Sequence, residues 1–107
     1  MSPEYIASIE EGDVEVGKLL EKLKAEGLYE GTHIFFTSDH GGVDKGHGGL
    51  SVTEMEVPWS LRGPGVRKGY QMSSPNNTVN TAATVAHLFG CQAPEVWVGK
   101  IVPSIFE

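Results

Sequence analysis

His33-Ile34-Phe35-Phe36-Thr37-Ser38-Asp39-His40-Gly41-Gly42-Val43-Asp44-Lys45-Gly46-His47-Gly48-Gly49 is the stretch on which the fold turns. Its first five residues form an apolar, β-favouring run bounded by Gly31 and by the glycines after His40. Such a run reads as a strand buried on both faces, and strands of that kind belong to parallel sheets. A glycine-rich loop then leaves the strand's carboxyl end, where open α/β sheets bind ligands. Asp39, His40 and His47 are donors of the type that zinc and manganese accept. The glycines beside them let backbone and side chains converge on one point.

Upstream, Ser2 is a good N-cap and Pro3 suits the first helical position. Tyr5, Ile6, Ile9, Val16, Leu19, Leu20 and Leu23 then fall mostly three or four apart, predicting an amphipathic helix that ends near Gly27. Gly12 and Gly17 interrupt it, and close packing against a neighbour is the expected cause. Downstream, Val57-Pro58-Trp59-Ser60-Leu61 predicts a second strand, with Pro58 at an edge or at its start. Gly69 to Ser74 predicts a weak third strand. A second helix follows, with Ala82, Val85, Ala86 and Phe89 on one face, Gly90 as its stop and Asn77 or Asn80 as its cap. The order of elements predicts an α/β layered sheet with flanking helices.

The chain has 107 residues, a length suited to one domain with one hydrophobic core. Its hydrophobic fraction of 39% and charged fraction of 21% are those of a globular chain. A net charge of −6 argues against sequence-independent nucleic-acid binding, which needs a basic surface. No run approaches the roughly 18 apolar residues of a membrane span. Met1-Ser2-Pro3-Glu4 lacks the basic start and apolar stretch of a secretory signal. The single cysteine, Cys91, excludes an internal disulfide framework. Neither feature places the compartment.

The loop admits four readings. Gly41 and Gly46 have the spacing of a Walker phosphate loop, but His47-Gly48 stands where Lys-Ser/Thr is required. Ser38, Asp39 and His40 make a poor catalytic triad, because three consecutive residues do not face one another. Metal binding and a solvated surface turn both remain compatible with the spacing alone.

Thr37-Ser38-Asp39-His40-Gly41-Gly42 resembles the Ser-Asp-His-Gly signature of the alkaline-phosphatase-like superfamily, which includes phosphatases, type I phosphodiesterases, phosphoethanolamine transferases and sulfatases. The resemblance extends along nearly the whole chain. Asp13, Val16, Gly17, Leu20 and Leu23, then Gly27-Leu28-Tyr29-Glu30-Gly31-Thr32, are similar to the segment before that signature. Glu56-Val57-Pro58-Trp59 and Gly63-Pro64-Gly65-Val66 are similar to the segment after it. Thr81 to Ala86, with Gly90, Pro94, Trp97 and Gly99, resemble its closing helix and tail.

This resemblance implies a two-metal centre with a Ser, Thr or formylglycine nucleophile. In that scheme Asp39 and His40 hold the metal that meets the nucleophile, and His47 completes the second site. It implies two divalent ions, zinc first and manganese as the alternative. His47 stands where sulfatases carry a Lys, and Glu56 where they carry an Arg. Both departures favour a phosphoric-ester hydrolase over a sulfuric-ester hydrolase. The nucleophile and the earlier metal ligands have no counterpart in this sequence. Residues 1–107 are therefore expected to be one partial domain, the C-terminal part of a larger catalytic domain, inactive alone and holding metal weakly. A non-catalytic α/β module is the rival reading. The expected partner is a phosphate- or sulfate-ester substrate, with neither nucleic acid nor membrane. Self-association is expected through the exposed flank of a partial sheet. Relatives often work in the periplasm or outside the cell.

Smaller signals have plainer readings. Lys45 and Asp44 are expected to be solvated, His33 structural, and His87 a cation suited to a helix end. Trp59 and Trp97 read as apolar anchors. Asn76-Asn77-Thr78 is a formal glycosylation sequon.

Overall fold

A computed structural model describes residues 2–107. The chain divides into two units, one ending at His33 and the other running from Ile34 to Glu107.

The first unit is α1, Pro3–Ala25, followed by a 3-10 turn at Tyr29–Gly31. The Ser2 hydroxyl accepts from the Tyr5 amide at 3.2 Å, satisfying one of the orphan donors of the first turn. Gly27, at φ 69°, ends the helix. Its amide donates to the Lys24 carbonyl and that of Leu28 to the Leu23 carbonyl, the paired bonds of a Schellman stop. Three ion pairs, Glu15–Lys18, Glu21–Lys24 and Lys22–Glu26, run along the surface. Exposed pairs of this kind contribute little each. No residue of α1 is buried. A Cβ placed at Gly12 or Gly17 would meet nothing within 4 Å. Within the first unit, then, no packing neighbour meets these glycines.

The second unit contains β1 (Ile34–Thr37), α2 (Val52–Met55), β2 (Trp59–Arg62) and α3 (Asn80–Leu88), then a 3-10 turn at Pro103–Ile105. β1 and β2 pair antiparallel, with Ile34 opposite Arg62 and Thr37 opposite Trp59. This corrects the expectation of a parallel pair. An apolar run reports burial but carries no information on the direction of its partner. The link between the strands contains only the single-turn α2, whereas a parallel crossover is usually a full helix. The strand is also less covered than expected: Ile34 and Phe35 are half-buried and Phe36 is exposed. Pro58, which lacks an N–H, stays outside the ladder. Residues 69–74 form no strand: Gly69, at φ 65°, closes a turn and the rest is irregular.

The core lies where the tail crosses α3. Val66, Ala83, Val102 and Ile105 are buried, and Thr84 is fully so. The Thr84 hydroxyl donates to the Asn80 carbonyl at 2.8 Å and accepts from the Val102 amide at 3.3 Å. The Asn80 side chain accepts from the Lys100 amide at 2.9 Å. Gly99 is buried against α3's first turn, so close that a Cβ there would land on the Val79 carbonyl. The inward face of α3 is thus set by Ala83 and Thr84, while Ala82 and Phe89 of the expected face are exposed. Val79 occupies the cap position without a side-chain bond; Asn77 instead accepts from the Val79 amide at 3.1 Å. Gly90, at φ 66°, stops the helix as expected.

Trp59 joins the sheet to α3. Its indole N–H donates to the Thr81 hydroxyl at 2.9 Å, and its ring meets Phe35 edge-on at 5.1 Å. No helix among the described residues is long and apolar enough to cross a membrane.

Candidate functional site

β1 ends at Thr37 and delivers Ser38-Asp39-His40 to the start of the glycine loop. The Ser38 hydroxyl donates to the His40 carbonyl at 3.0 Å, and the His40 amide donates to Asp39 Oδ1 at 3.0 Å. This amide, and secondarily the His40 ring in its charged form, hold the Asp39 carboxyl below the ordinary aspartate range.

The chain then reverses tightly. Val43 and Gly46 exchange both amide-to-carbonyl bonds, at 3.0 and 2.9 Å, around Asp44 and Lys45. Asp44 adopts the left-handed conformation, φ 51°, which Asp tolerates better than most residues. The reversal lays the His47 ring on the His40 ring, with centroids 4.2 Å apart and planes at 29°. The hairpin therefore sets His47 against His40, although six residues lie between the two histidines.

His40 Nδ1 lies 2.6 Å from the Gly41 carbonyl, an acceptor only, so the neutral ring carries its hydrogen there. Its Nε2 then presents a lone pair 3.6 Å from Asp39 Oδ2. Two electron-rich atoms so placed are stabilised by a proton or a metal cation between them. A backbone carbonyl holding the far nitrogen is also the usual support of a metal-ligating histidine. One carboxylate and two imidazoles suit zinc or manganese in type. Among the described residues, however, no three His, Cys, Asp or Glu side chains are placed to hold one ion. The donors fit in kind and fall short in number.

Asp39 and His40 line a cleft of about 680 Å³, together with Glu54, Glu56, Trp59 and Asn76. His47 is not among its lining residues. The loop is held from α2: the Gly41 and Gly42 amides donate to the carbonyls of Glu54 and Thr53. Glu54 is the residue that sequence reasoning missed. The Ser51-x-x-Glu54 spacing of a capping box was the signal for it. Of the other residues, Lys45 sits at the exposed hairpin tip, and His87 meets Phe106 edge-on at 5.1 Å as a packing residue. Trp97 is 39% exposed and so is no core anchor among the described residues. Asn76 of the sequon is half-buried and accepts from the Asn80 amide group.

Comparison with known proteins decides the family, because the family model described as Sulfatase matches residues 1–91. The chain belongs to the sulfatase family. A phosphopentomutase of Clostridium perfringens (strain 13 / Type A) is 33% identical over 98 residues, covering 92% of this sulfatase-family chain and 23% of that protein. The phosphopentomutase of Clostridium beijerinckii is 32% identical over 100 residues, covering 94% of this chain and 24% of that protein. Arylsulfatase K of Danio rerio is 33% identical over 91 residues, covering 80% of this chain and 17% of that protein. The chain thus spans about a quarter, or less, of the length of these relatives. Phosphopentomutase and arylsulfatase K are both members of the alkaline-phosphatase-like superfamily, as the signature at Ser38-Asp39-His40-Gly41 implied. No solved structure gives a significant match.

Proposed function

We propose that this chain supplies half of a two-metal ester-cleaving centre that acts on phosphate esters. The stacked approach of His47 to His40, beside Asp39 at the mouth of a cleft, carries this reading. Asp39 and His40 would hold one ion and His47 the other. Bound metal would activate a nucleophile and stabilise the leaving oxygen. The chain's own residues do the preparatory work. The His40 amide keeps Asp39 ionised, the Gly41 carbonyl turns the bare Nε2 of His40 toward that carboxylate, and the hairpin at Asp44–Lys45 brings His47 in. The nucleophile and the remaining ligands would come from sequence outside the matched quarter. The phosphopentomutase relatives, which by name handle a phosphorylated pentose, support a phosphate ester, as do His47 and Glu56 in place of the sulfatase Lys and Arg. The arylsulfatase K relatives favour the second reading, a sulfuric ester.

The test has two parts. The 107-residue chain alone should turn over neither p-nitrophenyl phosphate, its bis-ester nor p-nitrophenyl sulfate, and should bind zinc no tighter than micromolar. A phosphopentomutase in which only the stretch aligned with residues 37–49 is replaced by this chain's residues 37–49 should keep activity toward phosphate esters. In that chimera Asp39→Asn, His40→Ala and His47→Ala should each weaken metal binding strongly. Preference of the chimera for the sulfate ester would move the reading to the second branch. Unchanged metal affinity in the His47→Ala chimera would remove the half-site.

A further inference from the structure

Glu54 lies outside the Asp39–His40–His47 set, on α2, and touches the loop at both of its ends. Its carboxylate accepts from the Gly49 amide at 2.8 Å and from the Ser51 hydroxyl at 2.6 Å. Its own carbonyl accepts from the Gly41 amide at 2.8 Å, and the adjacent Thr53 carbonyl from the Gly42 amide at 3.1 Å. Gly41 follows His40 directly, and Gly49 lies two residues past His47. Both grips need glycine: a Cβ on Gly41 would land on the Thr53 carbonyl, and one on Gly49 would land on the Glu54 carboxylate. Ser51 and Gly49 together hold the Glu54 carboxyl below its ordinary range, so at neutral pH it is an ionised, pure acceptor. The Ser51–Glu54 spacing matches a capping box, in which the glutamate serves its own helix. Here the carboxylate also reaches beyond the helix, to the loop.

We propose that Glu54 is a positioning residue, a clasp that spans residues 41–49 and sets the His47 ring against the His40 ring. The proposal rests on the half-site reading above and names what fixes the spacing of its donors. The Val43–Gly46 bonds close the hairpin tip only. Nothing in that pair fixes the hairpin relative to β1, whereas the Glu54 grips tie both of its feet to one helix.

Nuclear magnetic resonance of the full chain, free of metal, tests the clasp in Glu54→Ala and Glu54→Gln. The readouts are the ring-proton shifts of His40 and His47, displaced by their mutual ring currents, and hydrogen exchange at the Gly41, Gly42 and Gly49 amides. Amides of α3 report whether the chain is folded. Glu54→Ala should abolish the ring-current displacement and speed exchange at Gly49 by roughly tenfold or more, with α3 unchanged. Glu54→Gln should restore most of both, because its amide oxygen still accepts from Gly49 and its NH₂ can donate to Ser51. If Glu54→Ala does not fold, Gly49→Ala takes its place; the new methyl displaces the carboxylate from the other side and should give the same result. Wild-type ring shifts and exchange in the alanine variants overturn the proposal, as does Gln proving as disruptive as Ala. Zinc titration separates the two readings. A clasp that behaves as described, alongside a chimera whose zinc affinity is unchanged by His47→Ala, leaves Glu54 in its role and removes the metal reading. Zinc bound by wild type, with rings undisturbed in Glu54→Ala, does the reverse.

Discussion

Single residues show how far chemistry is legible in the sequence. Asp39, His40 and His47 stand out because their types and the glycines around them admit few uses. Glu54 does not, since its contacts exist only once a turn has folded Gly49 back toward α2. Asp39 gives a direct test of the loop geometry. The His40 amide favours its charged form, so its folded pKa lies below the unfolded value near 3.9. A depressed carboxyl contributes stability above the unfolded pKa and loses it as pH falls through the folded one. Carbon-detected titration should give Asp39 a midpoint below the ordinary value; a midpoint at or above it refutes the bond from His40. Thr84 tests the core. It is fully buried, and its hydroxyl both donates to Asn80 and accepts from Val102. Thr84→Val keeps the volume and orphans the Val102 amide, which should cost about 1–3 kcal/mol in urea unfolding. Thr84→Ser should recover part of that loss, and a neutral valine would show that the bond to Val102 carries nothing.

Elements divide into those specified locally and those specified by partners. α1 is of the first kind: Ser2, Pro3 and Gly27 mark its ends in the sequence and in the structure. The strands are of the second kind. Their apolar content predicts that strands exist, but their register and direction depend on which segment lies alongside, and residues 69–74 lack a partner to pair with. The buried face of α3 escaped periodicity for a related reason. A threonine was needed there to take the Val102 amide, and polar Thr84 does not read as core. α1 itself yields a prediction. Its two internal glycines have open space beside them, so in this chain they cost helix propensity with no packing return. Gly12→Ala and Gly17→Ala should each raise helix content by circular dichroism and stabilise the first unit by about 1 kcal/mol. Loss of helix content in either variant would mean that a neighbour occupies that space in solution.

At the scale of the whole molecule, apolar surface is left uncovered. Ile9, Leu19, Phe36, Leu50, Val52, Phe89 and Val98 are all more than half exposed. A two-stranded sheet also leaves both of its outer edges open to pairing. The chain should therefore bind a hydrophobic dye at neutral pH and self-associate with rising concentration, most readily through the sheet edge. Sedimentation as a monomer across the concentration range, with no dye fluorescence, would count against this. Composition places the chain among globular proteins, yet it cannot reveal this exposure, because an average over residues does not say which of them find cover.

The stitching of the tail along α3 also has a bearing on how the protein is made. Val102 and Ile105, two of the four buried aliphatic side chains among the described residues, lie within the last few positions, and the Glu107 amide is tied to the Gly65 carbonyl. Ribosomes synthesise that stretch after everything it packs upon. α1, with both ends capped locally, can form as soon as it emerges, whereas the unit from Ile34 onward waits, its core half supplied, until residues 99–107 have cleared the exit tunnel. Until then α3 lacks the cover of Val102 and lies within reach of chaperones and proteases.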